Sequence, residues 1–385
     1  MGSYPIAGVY FDEVQFRPRR SLGTGVPAFL SLAFSGAHEV QSITGWSHFA
    51  SLYSAQVNGT DSGNQLAAAV RGFFQNGGQS CYIVSTGDRS PSPAGLANAL
   101  DRVDAIEEVD LVCYPELMND AEHATALQQQ IIQWCDAGQQ RFAILDCLPD
   151  SQVDHAVAQW QALTGTNAAL YFPWLIVPSP MGSGLLTVPP CGHIAGCYAR
   201  TDFQKGTFHA PANIAIEGVD DLAYDLSNEE QTRLDPVGVV NCIRALPGRG
   251  IRPWGAHTIS GQPQWRHINV RRLFLTLYRW LTANMSLLAF EPNDRFLWAR
   301  IRRTVSAYLG DLYSRGALAG ATAAQAYYVK CDATTTPEYL RNSGQVVIEI
   351  GVSPVTPSEF VVVRIVYGAG QLVIGGDQTL SGKDN

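Results

Sequence analysis

Charge is what this chain has least of. Asp, Glu, Lys and Arg make up 16% of its 385 residues, against about 25% in an ordinary soluble domain. Of these, 26 are basic and 34 acidic, a net charge of −8, the wrong sign for an electrostatic nucleic-acid binder or a polybasic membrane binder. With 46% apolar residues, disorder and coiled coil are excluded. Interface cores are depleted in charge, so the shortage is a first hint of assembly. A long apolar run is also missing. The longest stretch without a charged residue, His155 to Ala199, is broken by five prolines and five glycines, so no membrane insertion is expected. Met1 to Pro5 has no basic start and no apolar run after it, unlike a secretory signal, and reads as a mature chain that begins in the cytoplasm.

The signatures of chemistry are missing too. There is no G-x-x-x-x-G-K-[ST], no G-x-G-x-x-G, no G-x-S-x-G and no H-E-x-x-H. The eight cysteines, at 81, 113, 135, 147, 191, 197, 242 and 331, include no C-x-x-C pair and read as reduced structural thiols. Cys191, His193 and Cys197 offer three zinc ligands without a fourth at metal-site spacing. A Cys–His catalytic pair would need a third supporting residue, which sequence alone does not reveal. The expectation is no catalytic residue, no metal and no cofactor.

What is present is a pattern of helices and buried strands. Asn64–Asn76 reads as a helix ended by Gly77 and Gly78, followed by a strand at Cys81–Ser85. Ser92 and Pro93 open a second helix, and the strand Leu111–Tyr114 follows. Helix Asp120–Cys135, strand Phe142–Leu145, helix Asp150–Leu163 and strand Leu170–Val177 continue the alternation. This predicts an α/β fold with a mostly parallel sheet covered by helices, α+β overall. After Met181, the Pro and Gly punctuation predicts irregular connections and short strands.

Ile268–Met285 is the clearest helix, with Val270, Leu273, Phe274, Leu277, Tyr278 and Leu281 on one stripe and Arg271, Arg272 and Arg279 off it. A second helix follows through Leu297, Ile301, Val305, Tyr308, Leu309 and Leu312, ended by Gly316. Thr322 and Gln325 fit a capping box. Arg271, Arg272, Arg300, Arg302 and Arg303 suit either a basic face for an acidic partner or a solvated helix face. Gln345–Gly351 and Phe360–Tyr367 read as strands, as does Ile6–Val14 near the N-terminus. The terminal strands lack a sequential hairpin partner and must find an edge, in this subunit or another.

Several segments resemble the tail-sheath family of contractile phages and contractile injection systems. Pro5-Ile-Ala-Gly8-Val9-Tyr10 and Gly23-Thr-Gly-Val26-Pro-Ala28-Phe29 resemble the family's opening arm and first strand. Ala69 to Gly78 with Cys81-Tyr82-Ile83-Val84, His209 to Asn213, and Pro247 to Ala256 are similar to further family segments. The C-terminal third is the most specific: Ile268 to Phe274, Phe290 to Asp294, Leu297 to Arg300, Gly316 to Ala321, Val329 to Asp332 and Glu359-Phe360 follow in family order.

The resemblance implies a structural, non-enzymatic subunit that polymerises as a helical stack of six-fold rings around an inner tube protein and contracts. Baseplate and terminal cap proteins, and sheath paralogues in the same particle, are the other implied partners. It implies arms at 1–20 and 361–385, a conserved core from 21–58 and 245–360, and an inserted outer α/β domain at 59–244. Intersubunit arm strands are then expected through Ile6, Val9, Tyr10 and Val14, and through Phe360, Val362, Arg364 and Val366. Arg271, Arg272, Arg279, Arg302 and Arg303 become candidates to face the tube. Assembly is expected in the bacterial cytoplasm, as part of a phage tail or a tail-like particle that is released or anchored through its baseplate. The competing expectation is a cytosolic α/β enzyme using strand ends near Thr86, Pro115 and Asp146.

Overall fold

Strands of three to seven residues that are apolar on both faces cannot meet water on either side, so they require helices above and below. The computed structural model describes residues 23–32, 40–57, 61–149, 152–180, 182–234, 239–285, 291–357, 364–368 and 371–375. In chain order its body contains β1 (Pro27–Ser31), β2 (Val40–Ile43), α1 (Trp46–Val57), α2 (Asp61–Gln75), β3 (Cys81–Ser85), α3 (Pro93–Asp104), β4 (Leu111–Cys113), α4 (Ala124–Gly138), β5 (Phe142–Asp146), α5 (Val153–Gln161) and β6 (Ala168–Phe172). Then come β7 (Leu175–Pro178), β8 (Leu185–Val188), α6 (Cys191–Lys205), β9 (Asp221–Leu222), α7 (Asn228–Leu234), β10 (Val240–Leu246) and β11 (Gly250–Pro253).

One eight-stranded sheet runs β11-β10-β6-β5-β4-β1-β3-β2. Its six inner strands are parallel, and the outer strands β2 and β11 are antiparallel to their neighbours. Alternation along each strand divides the core: Ala28 and Leu30 join a cluster with Leu96, Leu127, Ile131 and Val153, while Phe29 joins one with Phe49, Val70, Phe73, Ile194 and Tyr198. Thus α3, α4 and α5 cover one face, and α1, α2 and α6 the other.

The C-terminal part is smaller. It comprises α8 (Ile268–Met285), α9 (Arg295–Ser314), α10 (Ala323–Ala326), β12 (Tyr327–Lys330), α11 (Glu338–Asn342) and β13 (Glu349–Val352), followed by β14 (Arg364–Gly368) and β15 (Gln371–Gly375). Leu273, Leu277 and Trp280 of α8 pack with Leu297, Ile301, Val305 and Leu309 of α9. The Trp280 and Tyr308 rings stack 4.0 Å apart. Asp294 caps α9 by accepting from the Phe296 and Leu297 amides.

Several expectations need correction. The sheet joins residues on both sides of the expected 58/59 boundary, because β1 is hydrogen-bonded between β3 and β4, and β10 runs through position 245. Leu170–Val177 is two strands, since Pro173 brings no N–H to continue the ladder, and β7 pairs instead with β8 and β9. Residues after Met181 include the fifteen-residue helix α6. Its sequence carries no helical period because it is buried almost all round and therefore lacks a polar stripe. Thr322 makes no capping bond; only Gln325 reaches back, accepting from the Ala321 amide. β14 pairs antiparallel with β15, so the C-terminal strand does have a sequential partner.

Candidate functional site

Two places bear on the expected assembly: the junction that fixes α8 to the sheet, and the surface that α9 and the β12–β13 sheet leave open among the described residues. The junction is built by the arginines expected to face a tube. Arg271, Arg272 and Arg279 are only 5%, 3% and 3% exposed. That corrects the expectation for these three: the face of α8 opposite its apolar stripe meets the α/β body instead of solvent.

Arg272 donates from Nη1 to Asp202 at 2.8 Å and from Nη2 to Asp110 at 3.0 Å, with its guanidinium 4.9 Å from the Tyr198 ring. Asp110 in turn accepts from the Gly25 and Val26 amides at 3.1 and 2.7 Å, which fixes the chain just before β1. Burial pushes the Asp202 carboxyl up against the opposing pull of Arg272. On Arg272 burial acts against the charge, but the two carboxylates outweigh it and hold the guanidinium protonated. Arg271 donates to Asn167 and, at 2.6 Å, to Gln139, and lies 4.4 Å from the Trp265 ring. Arg279 donates to the carbonyls of Gly23, Glu107 and Glu108. Burial lowers both of these arginines. α8 is thereby held to segments 70 to 256 residues away in sequence.

α6 is seated by close backbone approach. A Cβ on Gly192 would lie 2.3 Å from the Ala69 Cα, and one on Gly196 would lie 2.5 Å from the Phe73 carbonyl oxygen. Asp146, at the end of β5, accepts from the Cys191 amide at 2.9 Å and satisfies the helix start. Burial pushes its carboxyl up to about 7. Cys191, His193 and Cys197 all lie on α6 but diverge: the Cys191 carbonyl accepts from the Cys113 thiol, the His193 ring packs against Gly72, and the Cys197 thiol donates to Asn76. No metal-ligand cluster occurs among the described residues. Burial also holds the His193 imidazole down at about 4.

The strand ends named for enzyme chemistry are covered by protein. Thr86, Pro115 and Asp146 are buried. Next to them Glu116 accepts from the Leu32 amide at 2.5 Å, and burial pushes its carboxyl up to about 8.

The open surface is elsewhere. Arg302 and Arg303 are exposed on α9, on the side away from its apolar stripe, with Arg295 and Phe296 exposed one to two turns earlier. β12 and β13 pair antiparallel from Tyr327 opposite Val352 to Lys330 opposite Glu349, and no third strand joins this sheet among the described residues. Tyr328 on β12 and Tyr339 on α11 are exposed. Of the expected arm residues, Arg364 and Val366 lie in β14, opposite Gly375 and Val373. Ile6, Val9, Tyr10, Val14, Phe360 and Val362 lie outside the described residues.

Comparison with known proteins places this architecture. Residues 92–259 match the phage tail sheath protein central domain, and residues 260–367 match the phage tail sheath C-terminal domain. The tail sheath protein of Vibrio phage KVP40 is 30% identical over 183 residues, 46% of this chain and 26% of the phage protein. That of Enterobacteria phage T4 is 27% identical over 186 residues, 47% of this chain and 27% of the phage protein. The chain thus spans under a third of the length of these curated relatives. Agreement in structure is nearly end to end. The sheath complex of an extracellular contractile injection system, PVC, in its contracted state superposes with a TM-score of 0.78 at 27% identity, covering 96% of this chain and 98% of that one. The contracted helical sheath of the anti-feeding prophage gives 0.76 at 29% identity, covering 96% and 100%. A sheath tail protein from Listeria innocua shares the fold, with a TM-score of 0.61 at 9% identity. From its two consecutive domain matches and its full-length likeness to injection-system sheaths, this chain belongs to the phage tail sheath protein family.

Proposed function

We propose that this protein is the subunit of a contractile sheath, a helical stack of six-fold rings that surrounds an inner tube, joins a baseplate and terminal cap, and shortens to drive the tube through a target envelope. The observation that carries this reading is the match along 96% of the chain to subunits of contracted sheaths. The role is structural and not enzymatic. The free energy of the stroke comes from new intersubunit contacts, with subunits moving as rigid bodies. A heterologous contact that does not close into a ring yields a helix.

In this reading the arms at 1–20 and 361–385 add strands to a neighbour, and the open edges of the β12–β13 sheet are where strands would be received. The α/β body lies outward, and Arg302 and Arg303 face the tube. The particle assembles in the bacterial cytoplasm and acts as a phage tail or a tail-like injection device.

The test is negative-stain electron microscopy of the protein expressed alone and with its neighbouring genes. The expected result is wide hollow tubes alone and longer, narrower tubes around an inner tube in the complete system. Monodisperse globular particles in both cases would overturn the reading. Deleting residues 1–16 should leave a folded subunit that forms no sheath, and undiminished sheath assembly would refute the arm role.

A further inference from the structure

A pocket of about 30 Å³ lies where α2, α6 and β7 meet the chain at Gly218. Ala68, Val177 and Pro178 form its apolar wall, and Arg71, Gln75 and His193 its polar side. The volume admits a particle about the size of one or two waters, too little for a phosphate or a sugar.

The polar side carries an unanswered positive charge. Arg71 is half-buried and makes no ion pair among the described residues. Its guanidinium reaches only the Ser179 carbonyl, at 3.4 Å from Nη1, and lies 5.9 Å from the Trp46 ring. Glu217, next to Gly218, is exposed and does not line the pocket. His193 is 1% exposed, and its Nδ1 has no hydrogen-bond partner among the described residues. Its ring is wedged in place, since a Cβ on Gly72 would lie 2.4 Å from it. Gln75 is exposed and marks the open side, with its amide against Gly218.

A cation drawn out of water without a counter-charge is costly, and a buried imidazole without a partner adds to the cost. Held neutral by burial, that imidazole keeps one N–H to donate. A water molecule would answer the imidazole alone. A monatomic anion answers the charge as well, because the guanidinium, the Gln75 amide and the imidazole all have N–H groups to give it.

We propose that this pocket binds a small monovalent anion, a halide such as chloride, between Arg71, Gln75 and His193. The ion then ties α2 to α6, β7 and the chain at Gly218, all within the α/β body. Such a site belongs to the folded subunit whether or not it polymerises.

The test is thermal melting of the full chain in sodium chloride and in sodium gluconate at equal ionic strength, gluconate being too large for the pocket. A Gln75→Glu variant is melted beside it. Gln75 is exposed, so the variant keeps the fold while its new carboxylate repels an anion at the open side. Changing gluconate for chloride should raise the melting temperature of the unaltered protein by about 3 °C more than that of the variant. Comparing the two proteins cancels the general effect of each salt. An identical response in both would overturn the proposal and leave the pocket to water. Arg71→Gln removes the cation itself and should abolish the same difference. A chloride response that survives this change would place the ion elsewhere and refute the site.

Discussion

The eight-stranded sheet and the two-stranded sheet solve opposite problems. The large sheet is sealed on both faces by helices, and its six inner strands are each paired on both edges. The β12–β13 sheet has half-buried side chains, an exposed tyrosine and no third strand among the described residues. A protein usually blunts such edges, because unpaired backbone groups invite other chains. In the proposed sheath, stability is concentrated in one region and adhesiveness in the other, with α8 and its three buried arginines between them.

The sharpest way to break this division is to remove the charge that joins the two. Arg272→Ala leaves Asp110 and Asp202 buried without their cation, at a cost of about 3–5 kcal/mol. Urea denaturation should show a large loss of stability, or two transitions as the regions separate. Gly192→Ala strikes the sealed region alone. The new Cβ meets the Ala69 backbone and not a yielding side chain, so α2 and α6 must part, costing about 1–3 kcal/mol. Thermal melting is expected to drop accordingly.

Burial in the body also sets a pH dependence. Between the ordinary carboxyl value of 4.5 and about 8, native Glu116 keeps a proton that the unfolded chain has lost. Stability should fall as pH rises through that window and level off above it. Glu116→Gln should flatten this decline, with the two proteins closest near pH 4.5 and the variant ahead at pH 8.5. His193 acts on the other side. Its value near 4 means that the unfolded chain takes up the proton first, so stability falls as pH drops below 6.5.

The smallest expected effect on stability is at the adhesive side. Arg302→Glu with Arg303→Glu, both exposed, should change unfolding by no more than about 0.5 kcal/mol each. The same double change should reduce the yield of extended particles around the tube. Equal particle counts by electron microscopy would remove these residues from the tube interface.

The same contrast explains what could be read in advance. α9 buries one stripe, and α8 carries an equally regular apolar stripe although its arginine face is buried too, so periodicity located both closely: Ile268–Met285 matches residue for residue. α6 is buried on every side from Cys191 to Ala199 and begins after Pro189-Pro190 with two glycines in its first six residues, so its pattern is that of punctuation. Those glycines are small because α2 lies against them. Arg271, Arg272 and Arg279 were placed on the polar face of α8, which is correct. Periodicity cannot say whether a polar face meets water or the Asp110 and Asp202 carboxylates of a segment far away in sequence. Arg302 and Arg303 are exposed among the described residues, as the pattern has them.

The central place of β1 has a mechanical meaning. The strand that follows Gly23 is gripped on both sides, by β3 and by β4, and not on one edge. A pull along its axis loads all of those hydrogen bonds together, in shear, whereas a strand at a margin would peel away one bond at a time. In the proposed sheath, tension arriving through the N-terminal segment would thus be delivered to an inner strand of the large sheet, where the ladder is harder to unzip than at its margin.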